Sequence, residues 1–284
     1  DFHIVKIPMS DFQFGVYEEA RVQERKLELR NAKKRKKKAS SKEGLFDDTV
    51  STYRIFSRAF CNFVFPRPDI KRPLPGDGDI EAAVLKSTAD EDILDAVSAQ
   101  QKIENIDGRY EADDIAALEG IDDKETKSYE QRIKSALAML NDNKEKYLSP
   151  EGLEIYSPKF LNILENVKDE EHQGLHLIYS QFRTLEGIGI LKLIFEANGF
   201  TQFKIKQVNN NWTLDIAPED KGKPTFALYT GSETPQEKEI IRNIFNGTWK
   251  YIPSSLAEEL NVISSNNIFG EVIKILMITA SGAE

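Results

Sequence analysis

Cysteine is all but missing: Cys61 is the only one in 284 residues. A lone thiol forms no internal disulfide, which excludes the small disulfide-stapled folds and suits a reducing, intracellular setting. Long apolar runs are missing too. None approaches the roughly 20 residues a helix needs to cross a bilayer, so no membrane span is expected. The first residues, DFHIVKIPMS, have neither the basic start nor the long apolar stretch of a signal peptide. A positive surplus is absent as well: 38 Lys and Arg stand against 47 Asp and Glu, for a net charge of −9. This excludes a uniformly basic nucleic-acid binder and leaves room for a local basic surface. There is no GxxxxGK[ST], hence no phosphate-cradling P-loop, and no dinucleotide fingerprint or nucleophile elbow. Histidine is scarce, with three. His172 and His176 are four apart, but Gly174 lies between them and His176 is expected to open a strand, so they do not read as a helical metal pair. No nucleophile–base pair stands out.

What is present is organised around three short apolar runs that end in small or polar residues: 174–182 (GLHLIYSQF), 226–232 (FALYTGS) and 273–284 (IKILMITASGAE). Continuous apolar runs of this length suit strands buried on both faces, as in a parallel sheet. Helical pattern follows the first two, at about 184–197 and 234–245. Strand alternating with helix is the signature of an α/β layer. In such sheets chemistry gathers at the carboxyl ends of the strands, here Ser180-Gln181, Thr230-Gly231-Ser232 and 279–284. Between the first two, 203–208 and 212–216 flank Asn209-Asn210-Asn211, a hairpin turn. A short helix is expected near 255–260.

Upstream the chain reads as helical. Ser10 and Gln13 form a capping box for a helix expected over about 11–30. Six basic residues follow at 33–38, read as a solvated loop, a phosphate contact or a localisation signal. A second, aromatic-rich helix is expected at about 49–63, with Cys61 on its core side, stopped by Pro66 and Pro68. From 77 to 125 the composition changes to sixteen Asp and Glu against four Lys and Arg, a loosely structured acidic insertion. Helices are expected at 125–140, with Ile133, Leu137 and Leu140 on one face, and at 159–167, with Ser157 as N-cap and Pro158 at the first helical position. The expected domains are a helical segment over 1–65, the insertion over 66–155 and an α/β lobe over 156–284.

The strand ends carry a resemblance. LIYSQF (177–182) resembles motif IV of superfamily 2 helicase-type ATPases, above all their Swi/Snf-like branch. TGSETPQEKEIIRNIFN (230–246) resembles the block that follows it, and ILMITASGAE (275–284) resembles motif V. PMSDFQFGVYEEA resembles the block that opens the second half of such engines, and TYRIFSRAFCNFVFP resembles their later helix. The overall likeness, over about 1–65 and 156–284, is to the helicase-like transcription ATPases of large DNA viruses, poxvirus-like and giant-virus alike.

The resemblance implies an incomplete RecA-like C-terminal lobe, truncated at motif V. The chain starts without Met and stops inside the motif V loop, so it is expected to be a fragment that lacks the N-terminal helicase lobe. It implies ATP and Mg²⁺ as cofactors of the full-length protein, with none bound by the fragment alone. It implies double-stranded DNA as the track, transcription machinery as a partner, and host cytoplasm, nucleus or virion as the location. Nucleic acid would meet Ser180, Gln181, Gly231, Ser232 and Thr279, while Ser281, Gly282 and Glu284 would face the ATP cleft. An ordinary strand-end turn is the alternative at each position. Tyr179 and Phe182 are expected in the core, and Arg183 and Lys192 on the wet side of a helix. The competing functional reading is a scaffold that holds a basic transcription partner through the acidic insertion.

Overall fold

The computed structural model describes residues 3–38, 55–73, 123–230 and 233–279. They fall into two compact units, one drawn from Asp1–Asn143 and Gly152–Lys159, the other from Lys144–Glu151 and Phe160–Glu284. Most of the acidic stretch, 74–122, lies outside the described residues.

In the first unit, helix α1 spans Asp11–Lys38. Its start is half of the expected capping box. Ser10 Oγ accepts from Gln13 N at 3.0 Å, but Gln13 is buried and its Nε2 donates to Phe60 O at 2.8 Å. The helix does not stop near residue 30; its backbone continues through the basic run at 33–38, which is therefore not a loop. Lys and Arg are good helix formers, and positive charge suits a helix C-terminus.

Helix α2 is Ile55–Phe60. Fully buried Glu24 joins it to α1, accepting from Ser57 N at 3.1 Å and from Arg21 Nη1 at 3.1 Å. Beyond α2, Phe63, Val64 and Phe65 are buried, and Val64 N donates to Tyr156 O at 3.0 Å. Cys61 is half-buried, and burial pushes its thiol pKa up. Helix α3, Asp123–Asp142, buries Ile133, Ala136 and Leu140, with Leu137 half-buried beside them.

Three helices lead into the second unit: α4 (Lys144–Tyr147), α5 (Pro150–Tyr156) and α6 (Pro158–Lys168). Ser157 stands where a cap of α6 is expected, yet its hydroxyl donates to Asn62 O.

The second unit is a four-stranded parallel sheet with helices, the α/β class expected of a RecA-like lobe. Its strands are β1 (His176–Tyr179), β2 (Thr201–Gln202), β5 (Thr225–Tyr229) and β6 (Ile275–Ile278), in spatial order β1-β6-β5-β2. A separate antiparallel pair, β3 (Ile205–Val208) and β4 (Asn211–Leu214), turns at Asn209 and Asn210, both at positive φ, as a two-residue hairpin requires.

Helix α7 (Ile188–Ala197) lies against one sheet face, where Phe195 meets Phe226 at 5.9 Å between ring centroids. Helices α8 (Pro235–Phe245) and α9 (Ser254–Ile263) cover the other, packing Ile240, Ile241, Ile244, Leu256 and Leu260 against Ala227 and Leu276. The hairpin is held to α9 by Ser255 Oγ donating to Trp212 O at 2.9 Å and Leu214 N donating to Glu259 at 3.0 Å.

β5 and β6 are buried as expected, but β1 is not. It is an edge strand, and among the described residues nothing covers Leu177 and Tyr179, which are 62% and 59% exposed. Tyr179 is thus not a core residue.

Candidate nucleic-acid interface

Parallel pairing brings three strand ends to one edge. In register, Tyr179 faces Ile278 across β1 and β6, and Tyr229 faces the same Ile278 across β5 and β6. The next residues continue the row as Ser180, Thr279 and Thr230. Ser180 N donates to Ile278 O at 3.1 Å, and Thr279 N donates to Tyr229 O at 3.4 Å. Three consecutive strand ends therefore present hydroxyl side chains side by side. Thr230 and Thr279 are buried and their hydroxyls donate within the protein, so Thr279 does not itself reach the surface, while Ser180 is half-buried. Gln181 is exposed beside them. Of the other sequence-predicted site residues, Gly231, Ser232, Ser281, Gly282 and Glu284 lie outside the described residues.

The loop after β1 is wound more tightly than its sequence suggests. Ser180 Oγ accepts from Phe182 N at 3.2 Å. The carbonyls of Phe182 and Arg183 accept from Ile188 N at 3.0 Å and Gly189 N at 2.7 Å. Arg183 and Glu186 are both buried, so Arg183 does not lie on the wet side of a helix. Phe182 and Lys192 are half-buried.

These bonds also occupy the start of α7. A helix start attracts anions through its unpaired N–H groups, but the leading amides of α7 are taken by the loop. At α8, Pro235 has no N–H, and Glu237 N donates to Thr234 Oγ1 at 3.2 Å while the Glu237 carboxylate accepts from Thr234 N at 2.8 Å. The leading amides of both helices thus already have partners within the chain.

One residue that sequence reading passed over sits at the β5 end of the row. The Glu233 carboxylate accepts from Thr230 N at 2.8 Å and from Thr230 Oγ1 at 3.2 Å. Thr279 Oγ1 in turn donates to Thr230 O at 3.2 Å. The signal was available: TGSETPQE is T-x-x-E twice over. The second copy makes the capping box of α8 and the first closes the loop after β5. Lys238, one turn into α8, stands 5.3 Å over the Tyr229 ring.

His172 Nδ1 lies 2.9 Å from Asp169, and hydrogen bonding to Glu171 N together with His172 holds the Asp169 carboxyl below its usual range. His176 opens β1, where burial and Lys274 push its pKa down. Among the described residues no group of three or more His, Cys, Asp or Glu is placed to hold a metal ion, and no helix is long and apolar enough to cross a membrane.

On α7, burial raises the pKa of Glu196 against the opposing pull of Lys192, Lys204 and Lys144. A raised folded-state pKa means that ionisation costs stability, fully so above that pKa. Glu196→Gln should therefore stabilise the protein at pH 7. The gain should vanish below about pH 4, where the carboxyl is protonated folded and unfolded alike. Urea denaturation of both proteins across this range checks it; a gain independent of pH would assign it to something other than ionisation.

The chain is similar over 99% of its length, at 26% identity, to a provisionally named ATP-dependent RNA helicase of Acanthamoeba polyphaga mimivirus, of which it covers 32%. A second mimivirus protein provisionally given the same name is 22% identical over 84% of the chain and 34% of its own length. A termination factor NPH-I homolog of African swine fever virus is 29% identical over 46% of the chain and 19% of its own length. The chain thus spans about a third of the length of the two mimivirus relatives. No family model and no solved structure matches it.

Proposed function

We propose that this chain is the second motor lobe, with the helical segment before it, of a nucleic-acid-dependent ATPase of the Swi/Snf-like branch of superfamily 2. The observation that carries the reading is that the carboxyl ends of β1, β6 and β5 lie in register along one edge of a parallel sheet. Whole-chain similarity to a helicase-named viral protein supports it. Loops beyond such an edge can hold phosphates without reading bases. In the full-length protein, Ser180, Gln181, Gly231 and Ser232 face the track, while Ser281, Gly282 and Glu284 face the nucleotide. ATP and Mg²⁺ supply the phosphoryl-transfer chemistry there, and that chemistry depends mostly on positioning by parts from both lobes. The proposed track is double-stranded DNA, and the setting is transcription by a large DNA virus inside the host cell or virion. A scaffold reading has the charge of residues 77–125 in its favour, since sixteen acidic side chains suit a basic partner.

The test is ATP hydrolysis by the full-length protein with no nucleic acid, with DNA duplex and with RNA, at rising salt. Stimulation by DNA duplex that falls steeply with salt is expected. The 284-residue chain by itself should hydrolyse no ATP. Stimulation by RNA in place of DNA would move the track to RNA. DNA-stimulated hydrolysis by the 284-residue chain would overturn the assignment to one lobe. No hydrolysis by the full-length protein, with a basic partner still bound, would favour the scaffold.

A further inference from the structure

We propose that Glu233 is a positioning residue that ties the end of β5 to the end of β6, so that the two strand ends are offered to nucleic acid as one unit. This rests on the functional reading above. Thr230 has its N–H and hydroxyl donating to Glu233 and its carbonyl accepting from Thr279 Oγ1. Thr230 and Thr279 are each 3% exposed and Glu233 is half-buried, so the chain Glu233–Thr230–Thr279 runs inward from a half-buried carboxylate to two buried threonines. Hydrogen bonds there are stronger than in water, and a donor left unmet costs more.

The clasp lies past the paired part of the sheet. Pairing of β5 with β6 ends at Tyr229 and Ile278, one residue before Thr230 and Thr279. Losing Glu233 should therefore loosen Thr230 and Thr279 while leaving the strands in register.

A carboxylate is an unexpected group at an edge that faces phosphates, because like charges repel. Its two bonds to Thr230 give it a geometric role in place of an attractive one. That distinction is testable, because glutamine can keep the geometry without the charge. Gln Oε1 can accept from Thr230 N while its amide donates to Thr230 Oγ1, since a hydroxyl both donates and accepts.

The experiment compares full-length wild type, Glu233→Ala and Glu233→Gln in ATP hydrolysis with and without DNA duplex, with amide exchange at Thr230 and Thr279 followed in parallel. Glu233→Ala should raise the DNA concentration for half-maximal stimulation about tenfold, the expected effect of unmet buried donors at a binding edge. Hydrolysis without DNA should stay unchanged, and both amides should exchange faster. Glu233→Gln should restore wild-type values in both measurements. Glu233→Ala behaving as wild type would overturn the proposal, and so would Glu233→Gln being as impaired as Glu233→Ala. If wild type shows no stimulation, the functional reading falls, and exchange decides the clasp alone: faster exchange at Thr279 in Glu233→Ala supports it, and an unchanged rate overturns it.

Discussion

Gly187→Ala is expected to cost at least about 3 kcal/mol and to lower the melting temperature by roughly 10 °C. A Cβ at this position would lie 1.9 Å from Phe182 O and 2.4 Å from the Phe182 carbonyl carbon. Both are backbone atoms, and the same carbonyl accepts from Ile188 N, so it cannot turn aside without losing that bond. Gly189 repeats the constraint one step on, 2.3 Å from Thr184 O. Relief would require moving the 182–184 segment off the start of α7, which would displace buried Leu185 and Ile188. Gly15 is the contrast. It sits in α1 with nothing within 4 Å of an added Cβ, so Gly15→Ala should stabilise by about 0.5–1 kcal/mol, the ordinary gain in a helix. Chemical denaturation of the two variants beside wild type checks both signs. A Gly187→Ala protein as stable as wild type would mean the loop is not wound as described.

Asn267→Ala should cost about 3–5 kcal/mol. Asn267 is 1% exposed, and its side chain serves four backbone groups. Nδ2 donates to Phe245 O at 3.0 Å and Ile273 O at 2.9 Å, while Oδ1 accepts from Val272 N at 2.8 Å and Ile273 N at 2.9 Å. Alanine would leave two carbonyls and two amides in a dry interior without these partners. Asn267→Asp should be no rescue, because it keeps the acceptors but sets a carboxylate against two carbonyl oxygens. Urea unfolding gives the size of the loss. A cost under about 1 kcal/mol would show that water replaces the side chain.

Much of the second unit was legible in its sequence because buried parallel strands write themselves as uninterrupted apolar runs. 174–182, 226–232 and 273–284 each contain a strand, and the Asn209–Asn211 turn fell where expected. α8 was placed to within a residue because Thr234-Pro235 marks its start. α7 starts four residues later than its pattern suggests. Residues 184–187 have helical spacing, but they are held in a loop by bonds to Phe182 and Arg183 that no local pattern encodes. The two-residue strand β2 is too short to leave a periodicity. The hydroxyl row at the candidate edge was legible, since strand ends can be read from where apolar runs stop. Its organiser was not, because a glutamate three residues after a threonine looks the same whether it caps a helix or closes a loop. Gln13 and Ser157 misled for the opposite reason. Both have local capping patterns, and both spend their side chains on a distant carbonyl, of Phe60 and Asn62.

The spatial order β1-β6-β5-β2 places the last strand of the sequence between two earlier ones. Among the described residues β1 pairs only with β6, whose first residue comes 96 positions after Tyr179, the last of β1. On the ribosome, at about 5–20 residues per second, β1 would wait roughly 5–20 s for that partner. During that time its backbone donors and the apolar side chain of Ile178 are open to solvent and to chaperones. Synthesis that pauses within those 96 residues would prolong the exposure, so codon usage and chaperone supply over 180–275 should govern the yield of soluble protein more than the same changes made within 11–38.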